Sequence, residues 1–161
     1  MLKADQLHDE IMALCADIEQ PVLETRDDVE RFVRSFTKLT YDHCMFGLLY
    51  DYYLYDVEVL RENAVRLRGV ERVIADRQAL LAAFPNLKTK IEHVIVSPDN
   101  NGGWRVFRRM YFSGTNTGPS VFGPATGRSL GERNLTLSMF YLSKIDGQWK
   151  ITHEMEMRKL F

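Results

Sequence analysis

Apolar residues in the first half of the chain recur every three or four positions, the spacing of one face of a helix. The pattern predicts a helix that ends near Pro21 and a second that begins after Thr25 or Asp27 as N-cap. A third helix is predicted over about 70–84, before a proline. The stripes of the first two helices are Leu7, Ile11, Leu14 and Ile18, and Val29, Phe32, Val33, Phe36 and Leu39.

The pattern changes to a period of two after Pro85, which is typical of strands. "LKTKIEHVIV", "WRVFRRMYFSG", "NLTLSMFYLSKI" and "KITHEMEM" are predicted strands, and a small hairpin is predicted within 53–69. Helices followed by strands indicate an α+β fold. Short turns between consecutive strands predict an antiparallel, strongly bent sheet, with three N-terminal helices packed against its concave face.

Composition narrows the function classes. The chain has 161 residues, 21 lysines and arginines, 22 acidic residues and a formal net charge of −1, without a basic stripe. Nucleic acid is therefore not an expected partner. The N-terminus is charged and no apolar run is long enough to cross a membrane, so we expect a cytoplasmic protein without membrane contact. Cys15 and Cys44 form no CxxC motif, and no disulfide is predicted.

The chain contains no GxGxxG or P-loop motif for nucleotide binding. Its four histidines, His8, His43, His93 and His153, are far apart in sequence. We therefore predict no metal site and no cofactor.

One glycine-rich stretch, "SGTNTGPSVFGPATGR" at 113–128, interrupts the predicted sheet. Its order resembles the SnoaL-like polyketide cyclases of the nuclear transport factor 2-like superfamily, which show GTHTG followed by G-x-P-x-TGR. "LRGVERVIA", "LLAAFPNLKTKIEHVIV" and "IDGQWKITHE" resemble further motifs of the family in the right order. The resemblance covers about residues 48–157, and we interpret the stretch as the rim of a pocket.

The resemblance implies a cone, in which a curved antiparallel or mixed sheet surrounds a pocket with helices as its other wall. The length and hydrophobic composition of the chain predict one domain over 1–161, with 1–24 as an additional N-terminal helix. The resemblance also implies aldol ring closure without a cofactor, and a homodimer. The outer sheet face that carries Phe107, Arg109, Tyr111 and Ser113 is the predicted dimer surface.

The chain departs from the family at two functional positions. Asn116 replaces the histidine of GTHTG, and an amide can still bind a carbonyl substrate. The family carries its acid/base carboxylate on the strand after TGR, where this chain offers Asn134, Thr136 and Ser138, with Glu132 as the nearest acid. Thr136 and Ser138 are predicted to contact substrate, but a hydroxyl cannot replace a carboxylate as base at neutral pH.

Two histidines are candidates for the missing base. Alternation places His93 on a strand face with Thr89 and Ile91, and His153 on a face with Met155. Each could instead be a core histidine that is hydrogen-bonded to backbone or hydroxyl groups. The resemblance implies that the position of Met155 faces the pocket.

Further candidates for substrate contact are Arg108 and Met110 on one alternating strand, and Tyr53 in a tyrosine cluster. A buried Arg108 requires a carboxylate partner or an anionic ligand, whereas a register shifted by one places Arg109 inside. Tyr53 can donate a hydrogen bond to an enolate or belong to the core.

Two functions fit these observations. The chain is either an aldol cyclase, isomerase or dehydratase for a hydrophobic polyketide-like or ketone substrate, or a non-catalytic ligand-binding or assembly module. A buried carboxylate or histidine with a shifted pKa favours the enzyme. An interior filled by side chains favours the module.

Overall fold

The computed structural model describes residues 3–131 and 134–160. Four helices and six strands follow in the order α1 (Ala4–Ile18), α2 (Arg26–Tyr41), α3 (Gly47–Tyr52), β1 (Tyr53–Leu60), β2 (Arg66–Arg68), α4 (Val70–Ala83), β3 (Lys88–Pro98), β4 (Trp104–Ser113), β5 (Leu135–Ile145) and β6 (Gln148–Lys159). The prediction of helices followed by strands is confirmed. It missed the short α3, which lies between the second predicted helix and the hairpin, and a one-turn 3-10 helix at Glu62–Ala64 between β1 and β2.

The strands form one open sheet in the order β2-β1-β6-β5-β4-β3. Strands β1 and β6 are parallel and all other neighbours are antiparallel, so the sheet is mixed. Helices pack against it, and the stripe of α2 joins β1, β4 and β5 residues in one core cluster. None of the described helices is long and apolar enough to cross a membrane.

Helix α2 begins at a reciprocal N-cap. Thr25 Oγ1 accepts a hydrogen bond from the Asp28 backbone N–H at 3.2 Å, and the Asp28 carboxylate accepts one from the Thr25 N–H at 2.9 Å. This capping box satisfies two backbone donors that the first turn leaves free. Of the two candidates for this cap, Thr25 is confirmed.

Two β-bulges decide which strand residues face the helices. Glu92 is the extra residue between Ile91 and His93 in β3, and Thr152 is the extra residue between Ile151 and His153 in β6. One extra residue shifts every later side chain of the strand to the opposite face. In both strands, the positions that face the helices before the bulge therefore alternate out of step with those that face the helices after it.

Candidate functional site

The inner face of the sheet carries charged side chains where three rows of paired residues cross β4, β5 and β6. The rows are Val106, Phe140 and Glu154; Arg108, Ser138 and Glu156; and Met110, Thr136 and Arg158. Helices and the β1 region add further polar groups from the opposite side. We call the following residues the interior cluster: Tyr41, Tyr53, Arg61, Asp76, Arg77, Arg108, Glu154, Glu156 and Arg158.

Glu156 lies at the centre of the interior cluster and is 0% exposed. Its Oε2 accepts from Arg108 Nη2 at 3.0 Å, and its Oε1 lies 3.1 Å from both Arg61 Nη1 and the Tyr41 hydroxyl, which donates to it. Burial alone would raise the pKa of Glu156, but the surrounding guanidinium groups, chiefly Arg61 and Arg108, lower it to about 2. Glu156 is therefore a carboxylate at neutral pH and a poor proton acceptor.

Glu154 accepts its hydrogen bond from a phenol, and its Oε1 also lies 3.8 Å from Arg108 Nη2. The Tyr53 hydroxyl donates to Glu154 Oε2 at 2.6 Å, and Arg77 Nη2 donates to the Tyr53 oxygen at 3.1 Å. Burial and the neighbouring Glu154 carboxylate raise the pKa of Tyr53 well above its usual range. The phenol therefore keeps its proton and acts as a hydrogen-bond donor.

Arg108 connects the helical and sheet walls of the interior. Its Nε donates to Ser138 Oγ at 3.1 Å and its Nη1 to Thr37 Oγ1 at 2.7 Å, in addition to its bond to Glu156. Arg109 points to the other face, where it contacts Glu92. The placement of Arg108 inside the sheet is confirmed, and so is its need for a carboxylate partner.

Sequence patterning placed further candidates on the inner face, and the structure buries Tyr53, Met110, Thr136 and Ser138 there. Their contact with a substrate stays a prediction.

The predicted placement of His93, His153 and Met155 on the pocket face is wrong. His93 and His153 are exposed on the outer face because each follows a bulge, and Met155 is 37% exposed there for the same reason. His153 lines an outer cavity of about 230 Å³ with Tyr141. Neither histidine therefore lies on the inner face of the sheet.

Asn116 is buried, and both atoms of its amide group form hydrogen bonds within the protein. Its Nδ2 donates to the Ala83 carbonyl at 3.1 Å, and its Oδ1 accepts from the Thr126 N–H at 2.7 Å and the Thr126 hydroxyl at 3.0 Å. The side chain thereby fastens the glycine-rich stretch to the end of α4. Asn116 therefore has a structural role, and its contact with a substrate stays a prediction.

The same stretch approaches α4 so closely that a glycine is required. A Cβ on Gly118 would lie 1.8 Å from the Ala82 carbonyl oxygen, whereas a Cβ on Gly131 would meet nothing within 4 Å. Asn134 holds the other end of the stretch, since its Oδ1 accepts from the Phe112 N–H at 2.7 Å. Glu132, the acid nearest to the family's carboxylate position, lies outside the described residues.

Sequence patterning missed most of the interior cluster. The acids Glu154 and Glu156 lie on the last strand and not on the strand after TGR. A signal for them was present, because Arg108 on a buried face requires a carboxylate and Glu154, Glu156 and Arg158 alternate in β6. Among the described residues, no group of three His, Cys, Asp or Glu side chains is arranged to hold a metal ion.

Comparisons with solved structures define the fold class. Aln2 from a Streptomyces species is 15% identical, with a TM-score of 0.64 over 87% of this chain and 94% of Aln2. An NTF2-like protein with a cystatin-like fold from Novosphingobium aromaticivorans is 11% identical, with a TM-score of 0.59 over 98% and 91% of the two chains. Nuclear transport factor 2 from Cryptosporidium parvum is 16% identical, with a TM-score of 0.59 over 81% and 90%. The chain has the nuclear transport factor 2-like fold.

A family comparison is more specific. The model of the SnoaL-like polyketide cyclases matches residues 28–159, which is most of the chain. The chain therefore belongs to the SnoaL-like polyketide cyclase family, as the ordered motifs predicted. No curated protein matches it.

Proposed function

We propose that this chain is a cofactor-free enzyme that forms an enolate from a small ketone or polyketide-like substrate, with Glu154 as base and Tyr53 as hydrogen-bond donor. The observation that carries the proposal is the 2.6 Å hydrogen bond between Tyr53 and Glu154 on the inner face. Aldol ring closure, isomerisation and dehydration all proceed through such an enolate. Membership of the SnoaL-like family supports this group of reactions without selecting one of them.

The proposed step exchanges one hydrogen-bond acceptor for another. The substrate carbonyl oxygen replaces Glu154 as the acceptor of the Tyr53 hydroxyl, which frees Glu154 Oε2, while Oε1 stays 3.8 Å from Arg108 Nη2. Glu154 then takes the proton from the carbon beside the carbonyl, and the electrons of that C–H bond form the enolate. Tyr53 and the Arg77 guanidinium behind it stabilise the developing oxyanion, because preorganised donors in a dry site require little reorganisation.

The test is deuterium exchange. The wild-type protein should exchange the α-protons of aryl ketones or linear β-keto esters in D₂O faster than buffer does, as followed by NMR. Glu154→Gln should reduce the enzymatic exchange by about 10²- to 10⁴-fold, the usual contribution of a general base. His153→Ala, on the outer face of the same strand, is the matched control and should exchange at the wild-type rate.

Two results contradict this proposal. Exchange by the wild-type protein that equals the buffer rate across the panel would exclude the enzymatic function for these substrates. Wild-type exchange by a folded Glu154→Gln variant would exclude Glu154 as the base. Tyr53→Phe provides an independent measurement, because it removes the donor and leaves the carboxylate.

A second candidate is a ligand-binding module without catalysis. The specific observation in its favour is that the acids and arginines of the interior cluster pair with one another, and that Glu156 has a lowered pKa. Saturable ligand binding without deuterium exchange would favour this candidate over the enzyme.

We also propose that the outer sheet face forms a homodimer. It carries an apolar row of Phe107, Met139 and Met155, and Ile95 and Met157 are exposed beside this row. A second copy of the same face matches this apolar surface and would bury it.

Light scattering should give twice the 18.7 kDa chain mass. Met139→Glu should give a monomer, whereas Val121→Glu in an exposed loop should not; a monomeric wild-type protein would contradict the proposal.

A further inference from the structure

The end of the interior beside Asp76 carries buried donors without partners. Among the described residues, Arg158 Nε and Nη1, Arg61 Nε and Thr136 Oγ1 have no hydrogen-bond partner. Buried polar groups in native proteins are almost always paired, because an unpaired buried donor is destabilising. Several unpaired donors at one place therefore indicate a group that binds there.

These donors converge. Arg61 Nη2 and Arg158 Nη2 each lie 2.8 Å from a different oxygen of Asp76, so one carboxylate already joins the two guanidinium groups. Thr136 is the cross-strand partner of Arg158 and faces the same side of the sheet. Asp76 thus shows that the two arginines bind a carboxylate. Their unpaired N–H donors lie on the same two guanidinium groups.

Charge indicates the same kind of ligand. The interior cluster holds four arginines against three carboxylates, those of Glu154, Glu156 and Asp76. Asp76 and Glu62 lie at the edge, where both are partly exposed to solvent. Glu62 accepts from the Arg158 backbone N–H at 3.2 Å, which leaves the unpaired guanidinium donors of Arg158 unchanged. Buried cations in excess favour an anionic occupant.

We propose that Arg158, Arg61 and Thr136 bind the carboxylate of a small organic acid, so that the substrate class is a keto acid. An arginine binds a carboxylate through parallel N–H donors, and Thr136 supplies a hydroxyl beside it. Asp76, whose side chain is 18% exposed, is the part of this group of residues that faces solvent. The inference deepens the proposed function by naming its substrate class, and it rests on that function only in taking the interior as the ligand site.

The experiment compares an acid with its neutral ester by titration calorimetry. The probes are 3-benzoylpropionate and its methyl ester, which differ in the charge of one group. The wild-type protein should bind the acid at least tenfold more tightly than the ester. Arg158→Met should abolish this preference, whereas Arg109→Met, on the outer face, should keep it.

Two variants keep the test independent of folding defects in Arg158→Met. Thr136→Val keeps the side-chain shape and should weaken binding of the acid several-fold without changing binding of the ester. Asp76→Asn removes the internal carboxylate that competes for both arginines and should tighten binding of the acid several-fold. Equal affinities for acid and ester in the wild-type protein, or an unchanged acid preference in these variants, would overturn the inference.

The outcome is separable from that of the proposed function, because binding needs no turnover. A preference for the acid without deuterium exchange leaves the carboxylate site in place and removes the enzyme. Deuterium exchange of neutral ketones without any preference for the acid would support the enzyme and remove the carboxylate site.

Discussion

Glu156→Gln is expected to lower the free energy of unfolding by about 3–5 kcal/mol, the usual cost of removing one partner of a buried ion pair. The variant leaves the Arg61 and Arg108 guanidinium groups without their shared carboxylate, which lies 3.1 and 3.0 Å from them. In a chain of this size, each kcal/mol lowers Tm by about 2–4 °C, so a fall of roughly 10 °C is expected. Thermal and urea unfolding measure the loss.

Glu92→Gln is the matched control, because it removes a glutamate that pairs with Arg109 on the outer face at 2.8 Å. Both of those side chains are about two-fifths exposed, and such pairs contribute at most about 1 kcal/mol. Equal, small losses for the two variants would mean that water solvates the interior. A further check is Glu156→Gln combined with Arg108→Met, which should lose less than the sum of the single variants because the two side chains interact directly.

Much of the architecture could be predicted because burial of apolar side chains sets it. Val29, Phe32 and Val33 recur at helical spacing, and all three are buried against the sheet. The switch to alternation after Pro85 likewise marks the strands correctly. Such patterns follow from the hydrophobic effect, which acts on each segment almost independently of its neighbours.

The content of the interior could not be predicted from alternation because two bulges reverse it. Ile151 faces inward as expected, but the extra residue Thr152 then turns His153 outward and Glu154 inward. A segment such as "HEMEMR" alternates whichever side faces the helices, and the apolar methionines favour the wrong side. The side with the acidic residues can be buried only because arginines from other elements pair with them. These arginines, such as Arg61 and Arg77, are distant in sequence.

The criterion that favours an enzyme, a buried carboxylate or histidine with a shifted pKa, is met in part. The interior contains a buried carboxylate with a shifted pKa, Glu156, but the shift is downward and makes it a weaker base. Glu154 accepts from the Tyr53 phenol, a donor that a substrate oxygen could take over, and its Oε1 lies 3.8 Å from Arg108 Nη2. The division suggests that Glu156 holds the arginines in place while Glu154 does the chemistry of the proposed function.

Protonation of Glu156 at low pH should lower the free energy of unfolding. Its pKa is about 2 in the folded protein and 4.5 as the ordinary value, so the folded state binds this proton less readily than the unfolded state. The resulting stabilisation is complete above about pH 4.5 and is lost as the pH falls towards 2. Its size, from the separation of the two pKa values, is about 3 kcal/mol.

The measurement is the difference in unfolding free energy between the wild-type protein and Glu156→Gln from pH 7 to pH 2. Other carboxylates titrate in both proteins and largely cancel, whereas glutamine at 156 does not titrate. The difference should therefore be constant from pH 7 to about pH 5 and shrink by about 3 kcal/mol below that. A difference that stays constant down to pH 2 would show that the arginines do not hold Glu156 in its charged form. The arginine and carboxylate interior would then lack the electrostatic coupling on which its expected stability depends.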